Sequence, residues 1–338
     1  MRMFFKKNTK STLDFVAIGD IVTDAFIELQ DAWIENDNPE KNKELCMRFG
    51  DKIPYKKVDV VAAVGNSPNA TVSAHRLGLK SALVTNFGDD KYGQDKMEQI
   101  KKEGLDTRFI KIHKGVGSNY HFVLRWKAER TILVKHYEYE YVLPDLGSPK
   151  WLYLSSLAEN SLPYHEQIAD YLEKNPEVKL AFQPGTFQMK LGAEKLARLY
   201  KLSELFFCNV EEAQNILNTD EKDIKNLLSG MHNLGPRIVV ITDGPNGAYV
   251  SDKQDVWHGP MYPDPAPPVD RTGAGDSFSS TFTSALALGE SLETALAWGP
   301  INSMSVVQYV GAQAGLLSRE KLEEYLKNAP ADYKPKKI

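Results

Sequence analysis

The chain has 338 residues, 42% of them hydrophobic and 25% charged, with a formal charge of −4. That is ordinary globular composition, long enough to bury a full core without covalent staples, and it carries no basic field that would hold nucleic acid or an anionic membrane. Its cysteines are Cys46 and Cys208, which excludes a disulfide framework and suits a reduced, cytoplasmic protein.

The first fifteen residues are basic but lack an apolar stretch, so they do not read as a secretory signal. No apolar run approaches the ~18 residues that would span a bilayer. A β-branched run over 15–18 predicts a buried strand, followed by Gly19-Asp20-Ile21-Val22-Thr23-Asp24. Residues 28–60 are polar and loop-rich, with Asn36-Asp37-Asn38-Pro39 and Gly50-Asp51-Lys52. Val64-Gly65-Asn66-Ser67-Pro68-Asn69 then leads into a helix over 70–77, a strand over 82–85 and a helix over 92–103. Residues 108–140 alternate, and 120–125 and 131–134 flank a turn at Lys127-Ala128-Glu129, which predicts a hairpin. Strands follow over 151–154, 180–182, 205–208 and 238–242, interleaved with helices over 164–174, 193–200 and 223–233. Helices over 276–288, 292–308 and 319–327 close the chain. Strand alternating with helix argues for a mostly parallel central sheet with helices on both faces. Residues 14–27, 61–107 and 141–330 would form this α/β domain, and 28–60 with 108–140 a small β-sheet lid.

The segment Asp270-Arg271-Thr272-Gly273-Ala274-Gly275-Asp276 opens a helix. Small residues at 273–275 let backbone N–H groups approach an anion where the helix end favours negative charge. Asp276 can cap that helix, or act as a general base beside the anion hole. The turn Thr242-Asp243-Gly244-Pro245-Asn246-Gly247 reads as a plain turn or as a phosphate loop. Asn209-x-x-Glu212 has the pattern of a helix-capping box, and also suits Mg²⁺ held largely through water. Asp24, Gly65 and Asn69 lie at strand or helix ends, where open α/β sheets bind ligands. A P-loop is absent, and Gly115-Val116-Gly117 lacks the rest of a dinucleotide fingerprint.

In this order and spacing the segments resemble the ribokinase-like (phosphofructokinase-B) family of carbohydrate and nucleoside kinases, from about residue 14 to 328. The most specific match is Asp270 to Asp276, the family's Asp-x-x-Gly-Ala-Gly-Asp. The resemblance implies a ribokinase-like α/β fold and an ATP-dependent phosphotransferase acting on a hydroxyl of a sugar or nucleoside. Asp276 would be the base, and the N–H groups of Gly273, Ala274 and Gly275 the anion hole. Asn209, Thr242, Gly244, Gly247 and Asn302 would contact the nucleotide. Asp24, Gly65, Asn66 and Asn69 would contact the acceptor. Glu212 and Asn209 would serve Mg²⁺, and Asp270 with Gly311-Ala312-Gln313 a K⁺ loop. The accessory sheet is similar to the family's lid, which often also carries a homodimer contact.

The sequence also departs from the family. Arg271 stands where a small residue is usual, Thr281 where Gly or Ala is usual, and Val64 replaces the first glycine of an early pair. Val22, Asn66 and Ser156 stand where ribokinases contact free sugar. Trp126, Tyr137, Tyr139 and Tyr141 could stack on a base or pack within the lid. A kinase of a sugar phosphate, with Arg125, Arg130 or His121 as the phosphate partner, and a catalytically silent binding module are the alternatives.

Overall fold

The computed structural model describes residues 13–35, 43–127 and 129–338. Most of the basic start, the stretch Asn36-Asp37-Asn38-Pro39, and Ala128 of the expected turn lie outside those residues.

The first half of the chain contains β1 (Phe15–Ile18), β2 (Val22–Leu29), β3 (Trp33–Glu35), β4 (Glu44–Cys46), β5 (Tyr55–Val64), α1 (Asn66–Arg76), β6 (Ser81–Gly88), α2 (Lys91–Lys102), β7 (Ile110–His113), β8 (Tyr120–Trp126) and β9 (Glu129–Leu133). There follow β10 (Trp151–Leu154), α3 (Leu162–Lys174), β11 (Lys179–Phe182), α4 (Thr186–Lys195), α5 (Ala197–Leu202), β12 (Ser203–Asn209), α6 (Val210–Leu217), α7 (Ile224–Asn233) and β13 (Ile238–Thr242). The chain closes with β14 (Ala248–Ser251), β15 (Val256–Gly259), α8 (Ala274–Leu288), α9 (Leu292–Val306), α10 (Arg319–Lys327) and β16 (Lys336–Lys337).

The large sheet runs β16-β15-β14-β13-β12-β11-β10-β1-β6-β7. Pairing is parallel from β7 to β13 and antiparallel from there to β16. Its central strands β1 and β10 are apolar and fully buried because both faces are covered. In β10, Trp151 and Tyr153 face the layer that holds α1, α2, α8, α9 and α10, while Leu152 and Leu154 face α3, α5, α6 and α7. The C-terminal ends of β1, β11, β12 and β13 therefore open on one edge, where ligands bind in such sheets.

The lid is a separate sheet, β5-β2-β8-β9, in which β2 pairs parallel with β8. The expected domain limits shift accordingly. Asp24 lies inside β2 rather than on a turn, because the chain leaves β1 at Gly19 and re-enters extended structure at Val22. The lid also takes residues 61–64, at the end of β5. Conversely, β7 adds to the edge of the large sheet through its parallel pairing with β6, although it was grouped with the lid. The helix expected over 193–200 straddles α4 and α5, since the backbone leaves helical geometry at Leu196 (φ −103°, ψ 13°). Among the described residues no helix is long and apolar enough to cross a membrane.

Candidate active site

The start of α8 is built on close approach. Gly273 has φ 82°, and a Cβ there would lie 2.2 Å from the Cβ of Ala312, so only glycine lets the 311–313 loop pack against the helix end. The N–H groups of such a first turn lack intrahelical acceptors and point outward. The N–H of Ala274 leans on the Arg271 carbonyl at a long 3.4 Å. Gly275 has open space around it.

Asp276 projects from this first turn and is half-buried. Its Oδ1 accepts from the Asn66 amide at 2.7 Å and the Gln183 amide at 3.3 Å, and its Oδ2 accepts from Asn69 at 2.9 Å. The amides are themselves oriented. Gln313 donates to the Asn69 side-chain oxygen at 3.0 Å, and the Tyr153 hydroxyl donates to that of Gln183. Every one of these partners thus offers Asp276 a donor, which suits an ionised, acceptor-only carboxylate. Burial raises its pKa above the usual aspartate value, while the Asn69, Asn66 and Gln183 hydrogen bonds pull it down. Asn66 and Asn69, expected to face the acceptor, spend their amide donors on Asp276. Gln183 escaped sequence reading, although it directly follows the 180–182 run at the open edge of the sheet.

Beside α8 lies a cavity of about 630 Å³, lined among others by Asn209, Thr242, Gly244, Gly247, Ala274 and Gly275. Gly247 has φ 89°, and a Cβ there would lie 2.2 Å from the Gly259 carbonyl oxygen. Asn209 and Glu212 form a reciprocal capping box at α6: Glu212 N–H donates to the Asn209 side chain at 2.8 Å, and Asn209 N–H to the Glu212 carboxylate at 2.9 Å. Burial raises the Glu212 pKa, and the negative charge of Asp276 adds to it. A cation there would relieve both effects, so the residues present fit a hydrated Mg²⁺. Among the described residues no cluster of three or more His, Cys, Asp or Glu forms a full metal cage.

Asn302, expected at the nucleotide, does not reach it. It is fully buried, donates to Thr281 at 2.7 Å and accepts from the Leu317 N–H at 2.9 Å. Both ends of its amide are spent tying α8, α9 and the 317 segment together, which also accounts for Thr281 inside α8. Asp270 is buried and joins two loops. It accepts from Thr272 N–H at 3.0 Å and hydroxyl at 2.7 Å, and from Gly311 N–H at 3.0 Å.

On the lid side, Asp24 pairs in register with His121, and its Oδ1 lies 3.4 Å from His121 Nδ1. His136 stacks 5.2 Å from His121 and places Nδ1 3.6 Å from Asp20, whose carboxylate accepts from the Tyr141 hydroxyl at 2.8 Å. Thr23 Oγ1, Asp24 Oδ1, Asn119 Nδ2, His121 Nε2 and His136 Nδ1 are buried without a hydrogen-bond partner among the described residues. Buried polar atoms are rarely left so. This cluster is joined to Asp276 through the 65–66 segment. Gly65, with φ 124°, lies so near Asp20 that a Cβ would sit 2.9 Å from its carbonyl oxygen, and Asn66 follows directly. Lys96, fully buried, donates to the Asn119 carbonyl at 3.1 Å, and burial pushes its pKa down to about 8 against the pull of Asp90 and Asp24. Tyr139 and Tyr141 are buried, with hydroxyls on the Gly117 carbonyl and Asp20, so neither offers a face to a base.

The family described as pfkB family carbohydrate kinase matches residues 41–319. An ATP-dependent 6-phosphofructokinase of Thermoanaerobacterium thermosaccharolyticum is 25% identical over 73% of this chain and 80% of its own length. A nucleoside kinase of Methanothermobacter thermautotrophicus is 24% identical over 90% of this chain and 92% of its own. The solved structure of Arabidopsis thaliana ribokinase complexed with ribose and ATP superposes with a TM-score of 0.76, covering 94% of this chain and 99% of that one at 18% identity. The fold is therefore ribokinase-like.

Proposed function

Because the chain belongs to the pfkB family of carbohydrate kinases, we propose that it moves the γ-phosphoryl group of ATP onto a hydroxyl of a neutral, hydroxyl-rich sugar or nucleoside, with Asp276 as general base. Family membership makes it a phosphotransferase acting on an alcohol group. The observation that carries the finer reading is the Asp276 carboxylate, held by amide donors at the start of α8, where Ala274 and Gly275 line the large cavity.

Asp276 takes the proton of the acceptor hydroxyl as its oxygen attacks the γ-phosphorus and the bond to the β-phosphate oxygen breaks. The N–H groups at 273–275 meet charge gathering on the transferred group. Thr242, Gly244 and Gly247 hold the nucleotide, and Asp24 receives acceptor hydroxyls. Mg²⁺, held largely through water by Asn209 and Glu212, would neutralise phosphate charge. The loops joined by Asp270 would hold K⁺.

Buried Asp20 and Asp24 favour a neutral acceptor, since they would repel a phosphate group; His121 beside Asp24, His136 beside Asp20, and Arg130, whose charge reaches Asp276, are the groups a phosphorylated acceptor would use. Arg125, an alternative phosphate partner, is committed to the Val269 carbonyl at 2.8 Å. The lid's outer face supports a homodimer. Val60, Phe122 and Leu133, all exposed, share one cross-strand row through Ala25. The double variant Val60→Asp with Phe122→Asp is expected to be a monomer by light scattering where the wild type is a dimer.

Acceptor-dependent ADP release, measured with ATP and ribose, inosine or fructose 6-phosphate, tests the reading. Turnover is expected with a neutral acceptor. Turnover with the phosphorylated sugar alone would overturn the neutral-acceptor assignment.

A further inference from the structure

The loop before the anion hole carries a residue to which the reading so far gives no role. Arg271 lines the large cavity two residues before Gly273, and among the described lining residues it is the one cation, facing the acids Glu211, Asp243 and Asp264. Backbone N–H groups carry only partial charges, so a triphosphate entering an acidic cavity needs a full positive charge near its end.

We propose that Arg271 is a phosphate-binding residue whose guanidinium takes the terminal phosphate of the nucleoside triphosphate, and that Glu129 on lid strand β9 holds it when the nucleotide is absent. The inference rests on the assignment of the cavity to the nucleotide.

Geometry supports both halves. Arg271 Nη1 lies 4.0 Å from Glu129 Oε1, and the two side chains are 58% and 77% exposed. Such a loose exposed pair is weak and readily exchanged, whereas the planar guanidinium fork matches phosphate oxygens in a charge-assisted, bidentate way. Burial raises the pKa of Asp264 on the cavity wall, and the positive charge of Arg271 offsets part of that rise. The lid touches the same loop a second time through Arg125 on the Val269 carbonyl. Filling the cavity would therefore release Glu129 and be felt by β9.

Titration calorimetry with ATP, ADP and AMP in the presence of Mg²⁺, on the wild type, Arg271→Met and Arg271→Lys, tests this. Loss of a charge-assisted contact should weaken ATP binding by Arg271→Met about tenfold or more. AMP binding should stay within about twofold, with ADP between them and the lysine variant partly restored. AMP binding doubles as the check that the variant is folded. Unchanged ATP affinity in Arg271→Met, or equal loss for ATP and AMP, would overturn the role of Arg271 while leaving the nucleotide cavity standing. A wild type that bound none of the nucleotides would instead refute the cavity assignment itself, and the inference with it.

Discussion

The two sides of Asp276 are built by different means. The side proposed for the nucleotide is built largely on backbone, with Arg271 the one cation among its described lining residues: glycines at 244, 247 and 275, a helix N-terminus, and a capping box whose donors and acceptors already satisfy one another. The lid side is made of side chains, Asp20, Asp24, His121 and His136, which leave several buried polar atoms without partners. A phosphate donor common to many enzymes can be met by backbone geometry that any sequence with the right glycines adopts. An acceptor must be told from its competitors, and that requires polar groups which its own hydroxyls complete.

The largest test of this contrast is Asp276→Asn, which should cut turnover about 10²–10⁴-fold and leave ATP affinity nearly unchanged. In the wild type the base works deprotonated and burial raises its pKa. The rate should therefore fall with acid at a higher pH than an ordinary aspartate would set, and the pH profile of kcat/KM shows it. Asp24→Ala should come next. Losing charge-assisted hydrogen bonds of about 1.5–3 kcal/mol each should raise the acceptor KM more than tenfold, with the nucleotide KM little moved. The reverse pattern would mean that the two sides are exchanged.

A third test reads stability. The folded pKa of Lys96, about 8, lies below its usual 10.5. Between those values the unfolded chain holds a proton that the folded chain does not, so stability from this group rises with pH across that window. Wild type should gain on Lys96→Met by on the order of 1–3 kcal/mol between pH 7.5 and 10 in urea melts. A parallel pH dependence in the two proteins would show that the Lys96 pKa is the same in the folded and unfolded chains. The smallest effect belongs to Glu212→Gln, expected to raise the Mg²⁺ needed for half-maximal rate severalfold; overlapping Mg²⁺ titrations would leave Glu212 only its place in the capping box.

Much of the nucleotide side was legible in the chain because its determinants are local. A left-handed or crowded backbone at Gly247 or Gly273 requires glycine in place, and Asn209-x-x-Glu212 closes its box within one turn of helix. The lid side was not. Asp24 reads as a turn residue after a short strand, yet its role depends on β8 lying beside β2. For Tyr139 and Tyr141 the sequence leaves base stacking and lid packing both open, and only their burial on Gly117 and Asp20 decides for packing. Asn302 looked like a polar contact on a helix, and only the approach of Thr281 and Leu317 consumes both ends of its amide.

By itself the chain determined the inner strands of the large sheet and most of the helices between them, because periodicity, capping and glycine act over a few residues. It also determined that Asp276 would stand in the first turn of a helix, behind small residues at 273–275. Tertiary structure alone decided what Asp276 meets. Asn66 lies 210 residues away in the chain and Gln183 lies 93 away. No local pattern encodes such pairings; they arise when parallel strands bring the ends of β11 and the β5–α1 junction to one edge of the sheet, where hydrogen bonds between amides and the carboxylate can close.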